Sequence, residues 1–156
     1  MTNLNLMETK KTIDSLISLT LDKCQEWLKK NDHGFYSLID PHEKKEINDH
    51  YGGTHLGVAL LILGKIKDDK SLIKMGESLL KSILLNWDKS ISLSSFHFDF
   101  NNFALCIATE LLDDSDELSV IAKKKIINTS DSNHYTVNWL PMRYYVNLMR
   151  CRWEKK

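Results

Sequence analysis

Apolar residues recur at three- and four-residue intervals along the first thirty positions of the chain. This stripe extends from Ile13 to Leu28, and most of the charged residues fall outside it. Such spacing puts apolar side chains on one face of an α-helix. The pattern predicts an amphipathic helix from about Glu8 to Lys30, ended by polar residues and Gly34.

A second pair of helices is predicted after a long loop from His33 to Gly53. The segment from His55 to Leu63 is apolar on almost every side, which is typical of a buried helix, and Thr54 is the expected cap. A short polar turn, Lys67 to Lys70, leads into an amphipathic helix from about Ser71 to Trp87. We therefore expect an apolar inner helix followed by a half-exposed outer one.

The same order returns after a second loop from Asp88 to Asp99. An apolar helix from Phe103 to Leu112 is followed by a charged turn, Asp113 to Asp116. A short helix from Leu118 to Ile126 comes next. The recurrence indicates a repeat of helical hairpins, with little residue identity between the units.

The last predicted helix begins near Trp139 and continues beyond Met149, after a third loop from Asn128 to Val137. Pro141 fits its first turn, where the missing N–H has no intrahelical partner to lose. We predict an all-α protein with one helical domain over residues 1–156. Its three consecutive helical hairpins form either half of an α/α toroid-like array or a compact six-helix bundle.

The long and short connections differ in chemistry. The short turns are charged, whereas the three long loops are rich in His, Asp, Asn and aromatic residues. Antiparallel hairpins gather loops of one kind at one end of a bundle. Because function usually sits on loops that a rigid scaffold presents, we expect a site at that end.

Charge and composition exclude several partners. The chain has 21 basic and 21 acidic residues and a formal net charge of zero, so it lacks the basic excess of a nucleic-acid-binding domain. The first eleven residues lack an apolar signal segment, and no apolar run has the ~18 residues of a membrane span. Three widely spaced cysteines fit reduced thiols. We expect a cytoplasmic protein that binds neither nucleic acid nor membrane.

Two stretches carry a resemblance to a known architecture. The segment from Tyr51 to Leu60, followed by a polar turn and an amphipathic helix, resembles one hairpin of an α/α toroid, and the segment from His134 to Arg143 is similar. This six-hairpin ring is that of many glycosidases and polysaccharide lyases. The resemblance implies a carbohydrate-active domain with its site in the loops at the inner-helix N-termini. Three hairpins are half of such a ring.

Four residues of the long loops are candidates for catalysis, because they can move a proton: His97, Asp99, His134 and Tyr135. Seven more are candidates for binding a saccharide through hydrogen bonds, ring stacking or neutralisation of an anionic group: Asp49, Tyr51, His55, Asn102, Asn138, Trp139 and Arg143. The structural alternatives stay open. Asp49, Asp99 or Thr54 could cap a helix, Trp139 could lie in the core, and Arg143 could form a surface ion pair.

Metal and cofactor sites are not expected. A zinc site would have to draw on His50, His55, His97 and His134, but neither an HExxH nor a CxxC pattern occurs. Phosphate-binding GxxxxGK[ST] and nucleophile-elbow GxSxG patterns are also absent. The run from Lys123 to Lys125 fits a solvated helix face.

Two functions from different classes remain open. A carbohydrate-active domain would be a glycoside hydrolase, with two opposed carboxylates, or a lyase-like enzyme, with an amide or arginine facing a His or Tyr base. A non-catalytic helical-repeat module would instead use its aromatic residues to bind a protein, associating as a homodimer or with another chain.

Overall fold

The computed structural model describes residues 3–30, 36–40, 42–46, 50–87, 98–129 and 140–154. These residues form an all-α protein, as the sequence predicts, with one small addition of strand. In chain order the elements are α1 (Asn3–Trp27), β1 (Leu28–Lys30), β2 (Tyr36–Leu38), α2 (His50–Lys67), α3 (Lys70–Leu85), α4 (Phe98–Leu111), α5 (Glu117–Asn128) and α6 (Leu140–Glu154).

Helices α2 and α3 form a tight antiparallel hairpin. Asp69 caps α3, because its Oδ1 accepts hydrogen bonds from the backbone N–H groups of Ser71 and Leu72 at 2.8 and 3.2 Å. The two backbones come close where Gly57 faces Gly76: a Cβ added to Gly76 would lie 2.7 Å from the Gly57 carbonyl oxygen. Glycine at this crossing therefore sets the distance between the helices.

Helices α4 and α5 form a second hairpin across the predicted polar turn. Asp116 caps α5 by accepting a hydrogen bond from the Leu118 N–H at 2.8 Å. Lys81 of α3 pairs with Glu117 at 2.5 Å, so the outer helices α3 and α5 lie side by side. The repeat of an inner and an outer helix is thus confirmed for these two hairpins.

Helix α6 lies parallel to α4 and antiparallel to α5. Contacts between α4 and α6 keep the same order along both helices: Asp99 with Arg143, Phe103 with Tyr145, and Glu110 with Arg152. Against α5, the Arg150 guanidinium donates to the carbonyl oxygens of Ile126 and Thr129, at 3.0 and 2.5 Å. These carbonyls lie at the C-terminal end of α5, where a cation is favoured.

The core draws on all five of these helices. A side chain from each is fully buried or nearly so: Leu61, Leu80, Leu105, Ile126 and Val146. Burial of such side chains stabilises the fold by about 1.5–3 kcal/mol each. The apolar character of α2 and α4 follows from this packing, because both lie against neighbours on more than one side.

The first helix departs from the prediction. It ends at Trp27 rather than Lys30, because residues 28–30 pair antiparallel with residues 36–38. This two-stranded sheet lies within the segment predicted as the end of a helix and a loop. The packing of α1 also differs, since its main contact is with β1 and Ile13 and Leu16 of its apolar stripe are exposed.

Two other helix starts are earlier than predicted. Helix α2 begins at His50, so Thr54 lies inside the helix and the prediction of Thr54 as its cap is wrong. Helix α4 begins at Phe98, so Asp99 lies in its first turn. Pro141 does lie in the first turn of α6, as predicted. Among the helices of the described ranges, none is both long and apolar enough to cross a membrane.

The three thiols differ in accessibility, which gives a direct chemical test of the packing. Burial raises the pKa of Cys106 to about 12 and also raises that of Cys24, whereas Cys151 is exposed. The thiolate is the reactive form, so a raised pKa slows the reaction at about pH 8. We expect an aromatic disulfide reagent to label Cys151 rapidly in the native chain and all three cysteines in denaturant. Rapid labelling that persists in Cys151→Ser would contradict this packing.

Candidate functional site

The N-terminal turns of α2, α4 and α6 meet at one end of the helix row, called here the polar end. Its described side chains of interest are Tyr51, His55, Asp99, Asn101, Asn102 and Arg143. The ring of Tyr51 in α2 meets the ring of Phe100 in α4 edge-on, with 5.8 Å between centroids. Asp99 in α4 contacts Arg143 in α6. The predicted convergence of these helix starts is therefore present among the described residues.

A buried ion pair joins α4 to α6. The Arg143 Nη2 donates to Asp99 Oδ2 at 2.6 Å, and the two side chains are 11% and 2% exposed. Removal of one partner from such a pair leaves the other charge buried without compensation. The pair therefore fixes the register of α4 on α6 and cancels charge at the polar end.

Two amide side chains that follow Asp99 closely in the sequence are also buried. Asn101 and Asn102 are fully or almost fully buried. Among the described residues, neither the Nδ2 nor the Oδ1 atom of either side chain has a hydrogen-bond partner. A buried polar group left in this state costs about 1–3 kcal/mol. These amides thus have donor and acceptor capacity that the described residues do not use.

Tyr51 and His55 form the more accessible part of the polar end. Their ring centroids are 4.5 Å apart, and His55 is half-buried while Tyr51 is exposed. The His55 Nδ1 lies 2.8 Å from the Tyr51 carbonyl oxygen. Because a carbonyl can only accept, we assign the proton to Nδ1. In the neutral ring, Nε2 then keeps its lone pair and can accept a proton or hydrogen bond from a ligand.

The predicted site residues fall into two groups. Five lie in the described ranges, all at the polar end: Tyr51, His55, Asp99, Asn102 and Arg143. Six lie outside the described residues: Asp49, His97, His134, Tyr135, Asn138 and Trp139. Two of the purely structural roles considered for these residues do not apply. Asp99 lies within its helix rather than at the cap, and Arg143 forms its ion pair in the interior rather than at the surface.

Sequence reasoning missed the partnership between Asp99 and Arg143. The sequence analysis gave them different roles, Asp99 in catalysis and Arg143 in binding. The available signal was their position, since each lies in the first turn of its helix and they carry opposite charges. Phe100, which joins α4 to α2, was also not singled out as a contact to Tyr51.

A metal site would require several ligand side chains close together. Within the described ranges, no group of three or more His, Cys, Asp and Glu side chains is close enough to hold a metal ion. The side chain of His50, together with His97 and His134, lies outside the described residues.

Comparison with known proteins adds no family to this description. No family model, no curated protein and no solved structure matches the chain.

Proposed function

We propose that the polar end binds a saccharide. The supporting observation is unmet hydrogen-bonding capacity at the meeting point of three helix starts. Asn101 and Asn102 offer amide donors and acceptors without protein partners in the described ranges. Sugar hydroxyls both donate and accept, so they match amide groups of this kind. The resemblance of the hairpins to α/α toroids supports the same class of ligand.

The polar end has an accessible part and a buried part, so a saccharide would contact its residues in a definite order. An incoming sugar would first meet the exposed Tyr51 ring and the Nε2 atom of His55. Contact with the fully buried amides would require the end to open. Aromatic rings accommodate the apolar faces of sugars, whereas amides and imidazoles bind their hydroxyls.

The proposal includes a catalytic role for residues of the polar end, acting on the bound saccharide. His55 is the described group best prepared to accept a proton, because its Nδ1 is already committed to a carbonyl. Asp99 is held by Arg143, so its first role is to position α4 against α6. The reaction would be that of a glycoside hydrolase or a polysaccharide lyase-like enzyme, with His97, Tyr135 and His134 as the other predicted proton-moving groups.

The test is a binding screen of neutral and uronic-acid oligosaccharides, followed by calorimetry on any that bind. We expect His55→Gln to weaken binding about tenfold, as for loss of ~1.4 kcal/mol of contact. The matched control is His42→Gln, since His42 is exposed and its backbone N–H donates to Asp40. Equal affinity in both variants, or no saccharide binding to the wild type, would refute the proposal.

The second candidate function is a non-catalytic assembly module. A specific observation favours it, because α6 exposes Tyr144 and Leu148 at 76% and 66%, one helical turn apart. Terminal units of repeat proteins need a polar outer face when they end in water. A chain that binds no saccharide but associates through such faces would belong to this class.

A further inference from the structure

A groove separates the two outer helices, α3 and α5, and encloses a cavity of about 280 Å³. Its described lining residues come equally from α3 and from the capped start of α5: Glu77, Ser78, Lys81, Asp116, Glu117 and Leu118. Three carboxylates and one ammonium group therefore share this space, called here the α3–α5 groove. The contact between the outer helices carries an excess of negative charge.

The ammonium group of the groove is committed to one of the three carboxylates. Lys81 Nζ lies 2.5 Å from Glu117 Oε2, across the groove. Lys81 also follows Glu77 by four residues, a spacing at which Glu and Lys often pair along one helix. Within the described ranges, however, the Glu77 carboxylate forms no ion pair. Glu77 therefore lines the groove together with Asp116 and without a cation of its own.

The surroundings of Glu77 favour its protonated form. The side chain is half-buried, and this burial raises its pKa above the ordinary value of 4.5, while the charge of Asp116 raises it further. Lys65 of α2 and Lys74 of α3 act in the opposite direction but do not cancel the effect. Strand β2 also packs on α3, and its one ionisable side chain is that of Tyr36.

We propose that the α3–α5 groove is a proton-sensitive contact, in which a proton on Glu77 removes the repulsion from Asp116 and lets α5 pack closely on α3. The proton comes from solvent and returns to it. Once Glu77 is ionised, the pair of Lys81 and Glu117 is left to oppose the repulsion. That pair contributes little, because its side chains are 30% and 70% exposed. This proposal does not depend on saccharide binding.

The far end of α5 gives this contact a wider effect. Arg150 of α6 donates to the carbonyl oxygens of Ile126 and Thr129, at the C-terminal end of α5. Helix α6 in turn holds Arg143 at the polar end. A change in the packing of α5 therefore acts on the helix that positions Arg143.

Protonation of Glu77 stabilises the fold in a defined pH range. Because its pKa is raised in the folded state, the folded chain binds the proton more tightly than the unfolded chain does. The stabilisation is fully present below pH 4.5, the ordinary pKa of the side chain, and is lost as the pH rises through the folded-state pKa. The wild type should therefore be relieved of this strain in mildly acidic solution.

The first experiment compares urea unfolding of the wild type and Glu77→Gln across this range. Glutamine has the size of the protonated side chain and no charge, so the variant should have the higher midpoint at about pH 7. The two midpoints should converge as the pH falls towards 4.5. Glu117→Gln is the matched control. It removes a carboxylate that has a partner, so its midpoint at about pH 7 should equal that of the wild type or lie below it.

Two outcomes of the first experiment would overturn the proposal. One is a Glu77→Gln chain that is no more stable than the wild type at about pH 7. The other is a difference in midpoint that stays the same at every pH, because it would not arise from a proton.

The second experiment tests the part of Asp116. Asp116→Asn removes the charge but keeps an oxygen that can accept from the Leu118 N–H and cap α5. The stability gained from Glu77→Gln should be smaller in this background. In chains that keep Glu77, the NMR titration midpoint of its carboxyl carbon should also be lower than in the wild type. An unchanged titration midpoint would overturn the proposal.

The third experiment locates the effect by amide hydrogen exchange, corrected for the intrinsic rate at each pH. Amides of α5 should be better protected at about pH 5 than at about pH 7, relative to those of α2. Glu77→Gln should remove this difference. An equal pH dependence of protection in α5 and α2 would show that the proton acts on the whole fold, and would contradict a contact at α5.

Discussion

The substitution Asp99→Ala is expected to destabilise the protein by about 3–5 kcal/mol, the cost of leaving a buried guanidinium without its carboxylate. The carboxylate is 2% exposed and accepts from Arg143 Nη2 at 2.6 Å, so water cannot readily replace it. Denaturant unfolding, followed by helical circular dichroism, measures the change. The effect should be large because the pair joins α4 to α6 at the polar end.

A matched control and a double variant test the cause. Asp113→Ala removes an exposed carboxylate from the turn between α4 and α5, and should change stability by less than ~0.5 kcal/mol. Asp99→Leu combined with Arg143→Met should be more stable than Asp99→Ala, because neither charge then remains buried. Equal stability of Asp99→Ala and Asp113→Ala would show that the ion pair contributes little.

The substitution Gly76→Ala should destabilise the protein by about 1–3 kcal/mol, as overpacking does. An added Cβ would lie 2.7 Å from the backbone oxygen of Gly57 and 3.1 Å from the backbone nitrogen of Leu61. Backbone atoms of a packed helix can give way only if α2 and α3 separate. The loss is expected even though alanine favours a helix over glycine by ~1 kcal/mol.

Gly53→Ala is the control for this effect, again by denaturant unfolding. Its added Cβ would also come to 2.7 Å from an atom, but that atom is Cδ1 of Ile83, the end of a flexible side chain. A rotamer change can relieve that contact, so Gly53→Ala should be close to neutral. If the two variants were equally stable, the Gly57–Gly76 crossing would not limit the distance between α2 and α3.

The parts of the fold that were predictable are those in which one local pattern decides the structure. The stripe in α3 and the polar turns that precede α3 and α5 were predicted correctly, because helical periodicity and turn composition act within a few residues. The caps that Asp69 and Asp116 provide in these turns were not predicted. The apolar character of α2 and α4 also indicated their buried positions. These signals require no knowledge of distant contacts.

The parts of the fold that were predicted wrongly depend on contacts between residues that are distant in the sequence. Leu28 is the last residue of the predicted apolar stripe, but pairing of residues 28–30 with residues 36–38 draws this segment into a sheet. The exposure of α1 could not be foreseen either, because an amphipathic pattern states that a face is apolar and not what covers it. At the polar end, the meeting of the described helix starts was predictable, whereas the Asp99–Arg143 pair depends on the register between two helices.

The most direct test of the proposed saccharide site is a paired measurement of stability and binding on Asn102→Leu. The account predicts a variant at least as stable as the wild type, because a buried amide without a protein partner is replaced by an apolar group of similar size. It also predicts loss of binding for any oligosaccharide that the wild type binds. A variant that is destabilised, yet binds the sugar with unchanged affinity, would contradict it and make Asn102 part of the scaffold alone.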